Sequence, residues 1–439
     1  ANANPDASHG EGQLWIGTRR FQTNASGSNL FHATAGAYND IPAGTMISCT
    51  ATNEGFFATS EFAANVACTG QKFMVTNTNE LVNGDTSSVI NLMYNHGGDG
   101  VALREAILAA NNNYSAWTSN HMYFDLPGAG AQVITPASPL PHITTSTNIV
   151  GITDPEYAGT PVVHLVGSSA GAGANALVFD EPYCSVWGLS ITGFGGNAIT
   201  ITQPEFELFG CHLGVAPNGT TCLGNGGIGV LVNNVSNVDI GLEWWPGPPN
   251  VISGNAGGGV VIDGANATDN RVCNSRIGTN VSGTAALCSQ PFGVALRNGA
   301  HDNHIGSANP GMTDVISGHT QQGIVGTGDG NEVSYSFIGT NLAGTAAIPN
   351  GLGGINMTGA GTWIHHNTIS GNTGSGITLS GTDPRITYNF IGINSAGTTA
   401  LANSQHGILF SNASSGGSIS GNTISGNTQN GLLTNPASG

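Results

Sequence analysis

The chain has 439 residues, 68 of them glycine and only 8% charged, and its 8 basic against 25 acidic side chains leave a formal charge of −17. A single lysine, Lys72, and no cluster of arginines exclude nucleic acid and an anionic membrane surface as partners. No apolar run of about 20 residues occurs, so membrane insertion by a helix is excluded, and the opening ANANPDASHG is no leader peptide; any export signal is expected upstream.

Residues 1–70 read as antiparallel β structure. GQLWIGTRRFQT, NLFHATAGAY, GTMISCTATN and SEFAANVAC are strand-like runs separated by Gly, Asn and Pro, fewer than a whole sandwich needs. Residues 71–118 form a transition: a strand in KFMVTNTNEL, a polar loop in NGDTSSVINLMYNHGGDG, and a helix in GVALREAILAANN. Leu103, Ala106, Ile107 and Ala110 share one face of that helix, and Asp99 and Gly100 stand where a capping carboxylate is favourable.

Residues 119–439 consist of short Val/Ile/Leu-rich stretches such as GVVIDG (259–264), GITLSG (376–381) and HGILF (406–410), each bounded by turn residues, which excludes disorder there. One phrase returns as VISGN (251–255), VISGH (315–319), TISGN (368–372) and TISGN (423–427). A second interleaves with it: IGTN at 277 and 338 and IGIN at 391, each followed by GTAAL, GTAAI or GTTAL, with a weaker copy at LGV (213–215) and GTTCL (219–223). Self-similarity of this kind means stacked units that bury apolar faces against one another. Units of 53 to 64 residues suit two or three coils of a parallel β-helix plus loops. Asn255, Asn372 and Asn427 recur at equivalent turns, where side-chain amides can stack into a ladder and satisfy turn backbone. The helix is then expected to cap the N-terminal end of the stack.

The stretch FMVTNTNELVNGDTSSVINLMYNHGGDGVALREAILAANN resembles the CSLREA motif of bacterial surface proteins, here as VALREA, and the interleaved phrases are similar to the repeats of those proteins. The resemblance implies a right-handed parallel β-helix, and residues 11–67 resemble part of an immunoglobulin-like module. It implies an extracellular or cell-surface setting and is silent on activity. The expected class is therefore all-β: a right-handed parallel β-helix over 119–439, a capping helix within 71–118, and a partial β-sandwich module over 1–70.

Seven cysteines are an odd number. Cys211 and Cys222 flank one loop and Cys273 and Cys288 flank its successor, which suggests two bridges and an oxidising compartment, with Cys49 and Cys68 able to pair and Cys184 left over. The alternative is that all are buried fillers. Trp244 and Trp245 are an aromatic outlier that can stack on a sugar ring or pack back on the coil.

Catalytic residues are not evident. Arg271 and Arg276 lie near Asp263 and Asp269 in sequence and read as a surface ion pair between coils. Asp263, Asp269, Asp302, Asp314, Asp329, Glu332 and Asp383 read as scattered in turns, without the convergence a hydrolase needs. The pairs His301/His304 and His365/His366 lack a third ligand at close spacing, so they read as solvated turn residues rather than metal ligands. No cofactor is expected. The expected function is a non-enzymatic extracellular filament, sheath or adhesin subunit, whose apparently uncapped stack meets copies of itself head to tail. The alternative is a carbohydrate-active β-helix enzyme or a polysaccharide-binding module.

Overall fold

A computed structural model describes residues 46–47, 50–53, 58–61, 66–67, 73–113, 119–245, 247–309, 311–411 and 415–434. In the N-terminal region Met46–Ile47 pairs antiparallel with Val66–Ala67, and Thr50–Asn53 with Ala58–Glu61. Most of the expected sandwich, including Cys49 and Cys68, lies outside the described residues.

Two helices precede the coils. α1 (Val89–Tyr94) falls where the sequence reads as polar loop; Ser88 starts it by accepting from the Asn91 N–H through its side chain. α2 (Leu103–Asn111) buries Leu103, Ala106, Ile107 and Ala110 in the apolar cluster that runs on through the coils. Its cap is not Asp99, which accepts instead from the Asn79 amide. Glu105 reaches back from the first turn to the Ala102 N–H at 3.0 Å and also accepts from Asn83 and Gly84, so a fully buried carboxylate ties the helix to the preceding loop.

From Asn120 onward the chain winds into a parallel β-helix, and with Met74–Val75 added at the edge of the first it has sheets of 12, 11 and 10 strands, in which the coils stack strand on strand in parallel register. Both repeated phrases sit on the eleven-stranded sheet. Ile252, Ile277, Ile316, Ile338, Ile369, Ile391 and Ile424 lie in one column because VISGN-type and IGTN-type strands alternate rung by rung. Each long repeat is therefore two coils, one plain and one carrying an insertion. Of these isoleucines all but Ile424 are completely buried, each worth roughly 1.5–3 kcal/mol of hydrophobic burial.

The insertion is a hairpin. Val215 bridges Cys222, Thr279 bridges Ala286, Thr340 bridges Ala347 and Ile393 bridges Ala400, all antiparallel. Successive hairpins stack through Val281 N–H to Gly219 O, Leu342 N–H to Gly283 O and Ser395 N–H to Gly344 O, forming a ridge beside the sheet. The glycine after each hairpin-coil isoleucine has no substitute: Gly339 has φ 85°, and a Cβ there would fall 2.2 Å from Oδ1 of Asn372.

That close approach belongs to an amide ladder along the corner. Asn225 donates to Asn255, Asn350 to Asn372, Asn372 to Asn403 and Asn403 to Asn427. Between Asn255 and Asn350 the rungs are Gln290 and His319, which hydrogen-bond to each other and onward. Asn255, Asn372 and Asn427, with His319 between the first two, thus occupy the plain-coil rungs of one ladder, and Asn225, Gln290, Asn350 and Asn403 the rungs of the hairpin-bearing coils. Two further ladders run Asn270–Asn303–Asn331 and Asn367–Asn389–Asn422. The buried amides donate to strand-end carbonyls such as Ile316, Ile338 and Ile369 O as well as to one another, and their oxygens accept turn N–H groups such as those of His319 and Asn372.

The disulfide pairing differs from the sequence expectation. Cys222 bridges Cys288, with Cα atoms 6.0 Å apart, whereas Cys211 and Cys273 are buried free thiols, as is Cys184. Cys211 lies just before a strand of the eleven-stranded sheet and Cys273 just after one of the twelve-stranded sheet, so neither meets its hairpin. Cys222 and Cys288 belong to successive hairpins, and their sulfurs close over Gly254 of the intervening plain coil, stapling the ridge. Among the described residues no helix is long and apolar enough to cross a membrane.

Candidate acid–base and binding face

On the twelve-stranded sheet every second side chain points outward, and parallel register lines these residues up rung over rung. One such column reads Glu207, Asp239, Arg271, His304, Glu332, Trp363 and Arg385. The inward neighbours Ile240, Val272, Ile305, Val333, Ile364 and Ile386 are completely buried, so the outer residues stand on a rigid floor at intervals of about 4.8 Å.

Near the C-terminal half of this face four groups form a chain. Glu332 accepts from Nε2 of His365 at 2.9 Å and lies 3.4 Å from Nδ1 of His304. Nδ1 of His365 meets Nδ1 of His366 at 2.9 Å. The hydrogen bonds from His304 and His365 hold the Glu332 carboxyl well below the usual carboxylate range. Proton placement follows. With Glu332 ionised and His365 a neutral imidazole, Nε2–H of His365 faces the carboxylate and Nδ1 keeps a lone pair. His366 must then donate from Nδ1, which leaves its Nε2 as a free base. Partial burial, followed by the neighbouring His365, moves the His366 pKa down and favours this neutral form.

Aromatic rings surround the chain. Tyr335, His366 and Tyr388 occupy the same turn on three successive rungs, each with positive φ (46°, 55° and 58°). Their rings stack at centroid distances of 4.8 and 5.1 Å. Trp363, on the strand, stacks on His365 at 4.0 Å. Trp363 is 37% exposed and Tyr388 59%. Around the corner Tyr335 and His366 form one wall of a groove of about 300 Å³, with Ser307, Thr313, Phe337 and Phe390 among its other lining residues.

The Trp244–Trp245 loop sits further along. Trp245 stacks on Phe209 at 5.1 Å and meets Trp187 edge-on at 5.4 Å, so it packs back on the coil. Trp244 lies over Trp245 and is 65% exposed. Glu243 anchors the loop by pairing with Arg271 and accepting from Ser307.

Several sequence expectations are corrected here. Glu332 is not a turn residue but the centre of the histidine chain, and His365 is a buried strand residue within it rather than a solvated turn, whereas His366 is the exposed turn residue expected and joins the chain through Nδ1. Asp314 is fully buried, and so is most of Arg276, which donates to Thr313 O instead of forming a surface ion pair. Arg271 pairs with Glu243, not with Asp263 or Asp269. His301 pairs with the adjacent Asp302 and stays exposed. Among the described residues no group of three or more His, Cys, Asp or Glu is arranged to hold a metal. Sequence reading missed the column because loops of unequal length separate its members; the visible signal was the run of His, Trp and Tyr beside strand-like stretches.

No protein-family model matches the chain, and no curated protein matches it. Solved structures with a similar course exist at low identity. The A-module of mannuronan C-5 epimerase AlgE4 from Azotobacter vinelandii is 13% identical, with a TM-score of 0.42 over 76% of this chain and 92% of that one. Bacteriophage CBA120 tailspike protein 2 is 12% identical, with a TM-score of 0.37 over 88% and 45%. Pectate lyase Pel9A is 14% identical, with a TM-score of 0.29 over 81% and 78%.

Proposed function

We propose that the protein binds an extended polysaccharide along the outer face of the twelve-stranded sheet and the corner beside it, and that His366, backed by His365 and Glu332, is the base at that corner. The observation that carries the reading is the Glu332–His365–His366 chain, which ends at a ring on a groove wall beside exposed Trp363 and Tyr388. Aromatic faces bury the apolar faces of sugar rings. A straight column on a stiff sheet suits a polymer better than a compact metabolite. Arg385, in register with Trp363, adds a cation for an acidic sugar. A neutral imidazole in this setting accepts a proton from a sugar or from water, and the histidine–carboxylate chain stabilises the resulting cation. The Cys222–Cys288 disulfide supports an extracellular or cell-surface location.

The test is a binding panel of neutral and acidic polysaccharides, read by calorimetry, alongside product analysis. Trp363→Ala with Tyr388→Ala is expected to weaken binding at least tenfold, and His366→Ala to abolish any turnover while leaving binding nearly intact. Binding unchanged in the double variant would refute the proposed face.

A second reading, a structural filament or adhesin subunit that contacts copies of itself head to tail, draws support from the sheets and amide ladders that run along the stack and stiffen it. Electron microscopy of the purified protein tests it: fibres with a repeat near one subunit length are expected, and dispersed monomers at high concentration would count against it.

A further inference from the structure

One rung of a corner ladder breaks the chemical pattern of its neighbours. Between the twelve- and eleven-stranded sheets, Asn250, Ser275, Asp314, Ser336, Asn367 and Asn389 occupy the same position on successive coils. Asn250, Asn367 and Asn389 each make two matching bonds. Their Oδ1 atoms accept from the backbone N–H one rung below, from Cys211 at 3.0 Å, Ser336 at 2.9 Å and Asn367 at 2.9 Å. Their Nδ2 groups donate to a carbonyl of the preceding coil, that of Leu208, Val333 or Ile364.

Asp314 makes the first bond in the same way, with Oδ1 accepting from Ser275 N–H at 2.7 Å. Its Oδ2 takes the Nδ2 place and is buried without a partner. The carbonyl equivalent to Leu208, Val333 and Ile364 on that coil is Val272, by strand register. Val272 O already accepts from Gly306 N–H, just as Leu208 O accepts from Gly241 N–H, and in each case a second lone pair remains. An ionised carboxylate would put negative oxygen against a carbonyl, out of water, where the other rungs put an N–H.

We propose that Asp314 is built into the ladder as a neutral carboxylic acid whose Oδ2–H donates to the Val272 carbonyl, a substitute for asparagine that fails when it ionises. The surrounding charges do not force ionisation. Arg276 on the adjacent strand directs Nη1 to Thr313 O and Ser275 O, its Nε is buried without a partner, and among the described residues no hydrogen bond or ion pair joins it to Asp314. Arg271 is engaged by Glu243. Asp239, one coil further, and the Cys273 thiol add no cation, and Ser336 and Phe337 on the following rung bring no charge. Burial pushes the Asp314 carboxyl up to about 8, against weaker opposing pulls from Ser275 N–H and Arg276. The sign follows. Between pH 3.8 and about 8 the folded protein holds a proton that the unfolded chain has lost, so stability falls as pH rises through that window.

The test compares wild type with Asp314→Asn by hydrogen exchange at the Ser275 amide and by thermal unfolding from pH 4 to 9. The opening constant of the wild type is expected to rise about tenfold more per pH unit than that of the variant between pH 5 and 7. Asp314→Asn is then the more stable form at pH 8. Infrared difference spectra at pH 6 should show a protonated carboxyl stretch that the variant lacks, a readout that survives if the variant folds poorly. A buried ion pair with Arg276 predicts the opposite on every count: no such stretch, a destabilised variant, and wild-type stability lost on acidification. That result overturns the proposal.

Discussion

Replacing Asn372 with alanine removes a completely buried rung from the longest amide ladder. Its Nδ2 donates to Asn403 Oδ1 at 2.9 Å and Ile338 O at 3.2 Å, while its Oδ1 accepts from Asn350 Nδ2 at 2.9 Å. Three buried bonds at a net ~1 kcal/mol each give a loss of about 3 kcal/mol. Of the groups left behind, Asn350 Nδ2 keeps Ile316 O and Asn403 Oδ1 keeps Asn372 N–H, while the Asn350 N–H loses its 3.4 Å bond to Asn372 Oδ1 and adds to the loss. The control is Asn394→Ala in an exposed hairpin, where Oδ1 accepts from Thr398 and Thr399 N–H and the loss should be about 1 kcal/mol. Urea unfolding measures the difference, and hydrogen exchange locates it. In a stack whose rungs contact only their neighbours, loss of protection should centre on the rungs of Asn350 and Asn403. If Asn372→Ala costs no more than Asn394→Ala, or if protection falls evenly along the chain, the ladder does not support the stack as argued.

Two further outcomes follow from the same geometry. Reduction of Cys222–Cys288, or its replacement by two alanines, should open the stapled hairpins and lower stability, with loop closure over a separation of 66 residues setting a ceiling of about 4 kcal/mol; unchanged exchange of the hairpin amides after reduction would argue against the staple. Glu332 has its pKa depressed from 4.5 by His304 and His365, so its contribution is present above that value and is lost as pH falls through the lower folded value. Glu332→Gln should therefore flatten the acid limb of the stability profile, and an unchanged limb in thermal scans would show that the histidine chain does not hold the carboxylate.

The stacked architecture was legible because the burial requirement repeats. Ile252 and Ile277 advertise one inward column in two different phrases, and Asn255, Asn372 and Asn427 mark one corner, since a solenoid must solve the same turn problem on every coil. The staple was misread because Cys211 lies close to Cys222 in sequence while the fold places Cys288 beside it instead. Pairing depends on which hairpins stack, and that is a distance across coils rather than along the chain.

The acid–base face shows the same division. Sequence by itself determined the β-helix, its interleaved coils and its asparagine turns, because each is encoded locally by apolar alternation, glycine and a short polar phrase. Only the tertiary structure decided that His304, Glu332, Trp363 and Arg385 share one column, and that His366 ends a chain from Glu332. Register between rungs is set by the total length of the intervening loops, and nothing in a loop's own residues states where the next strand will land.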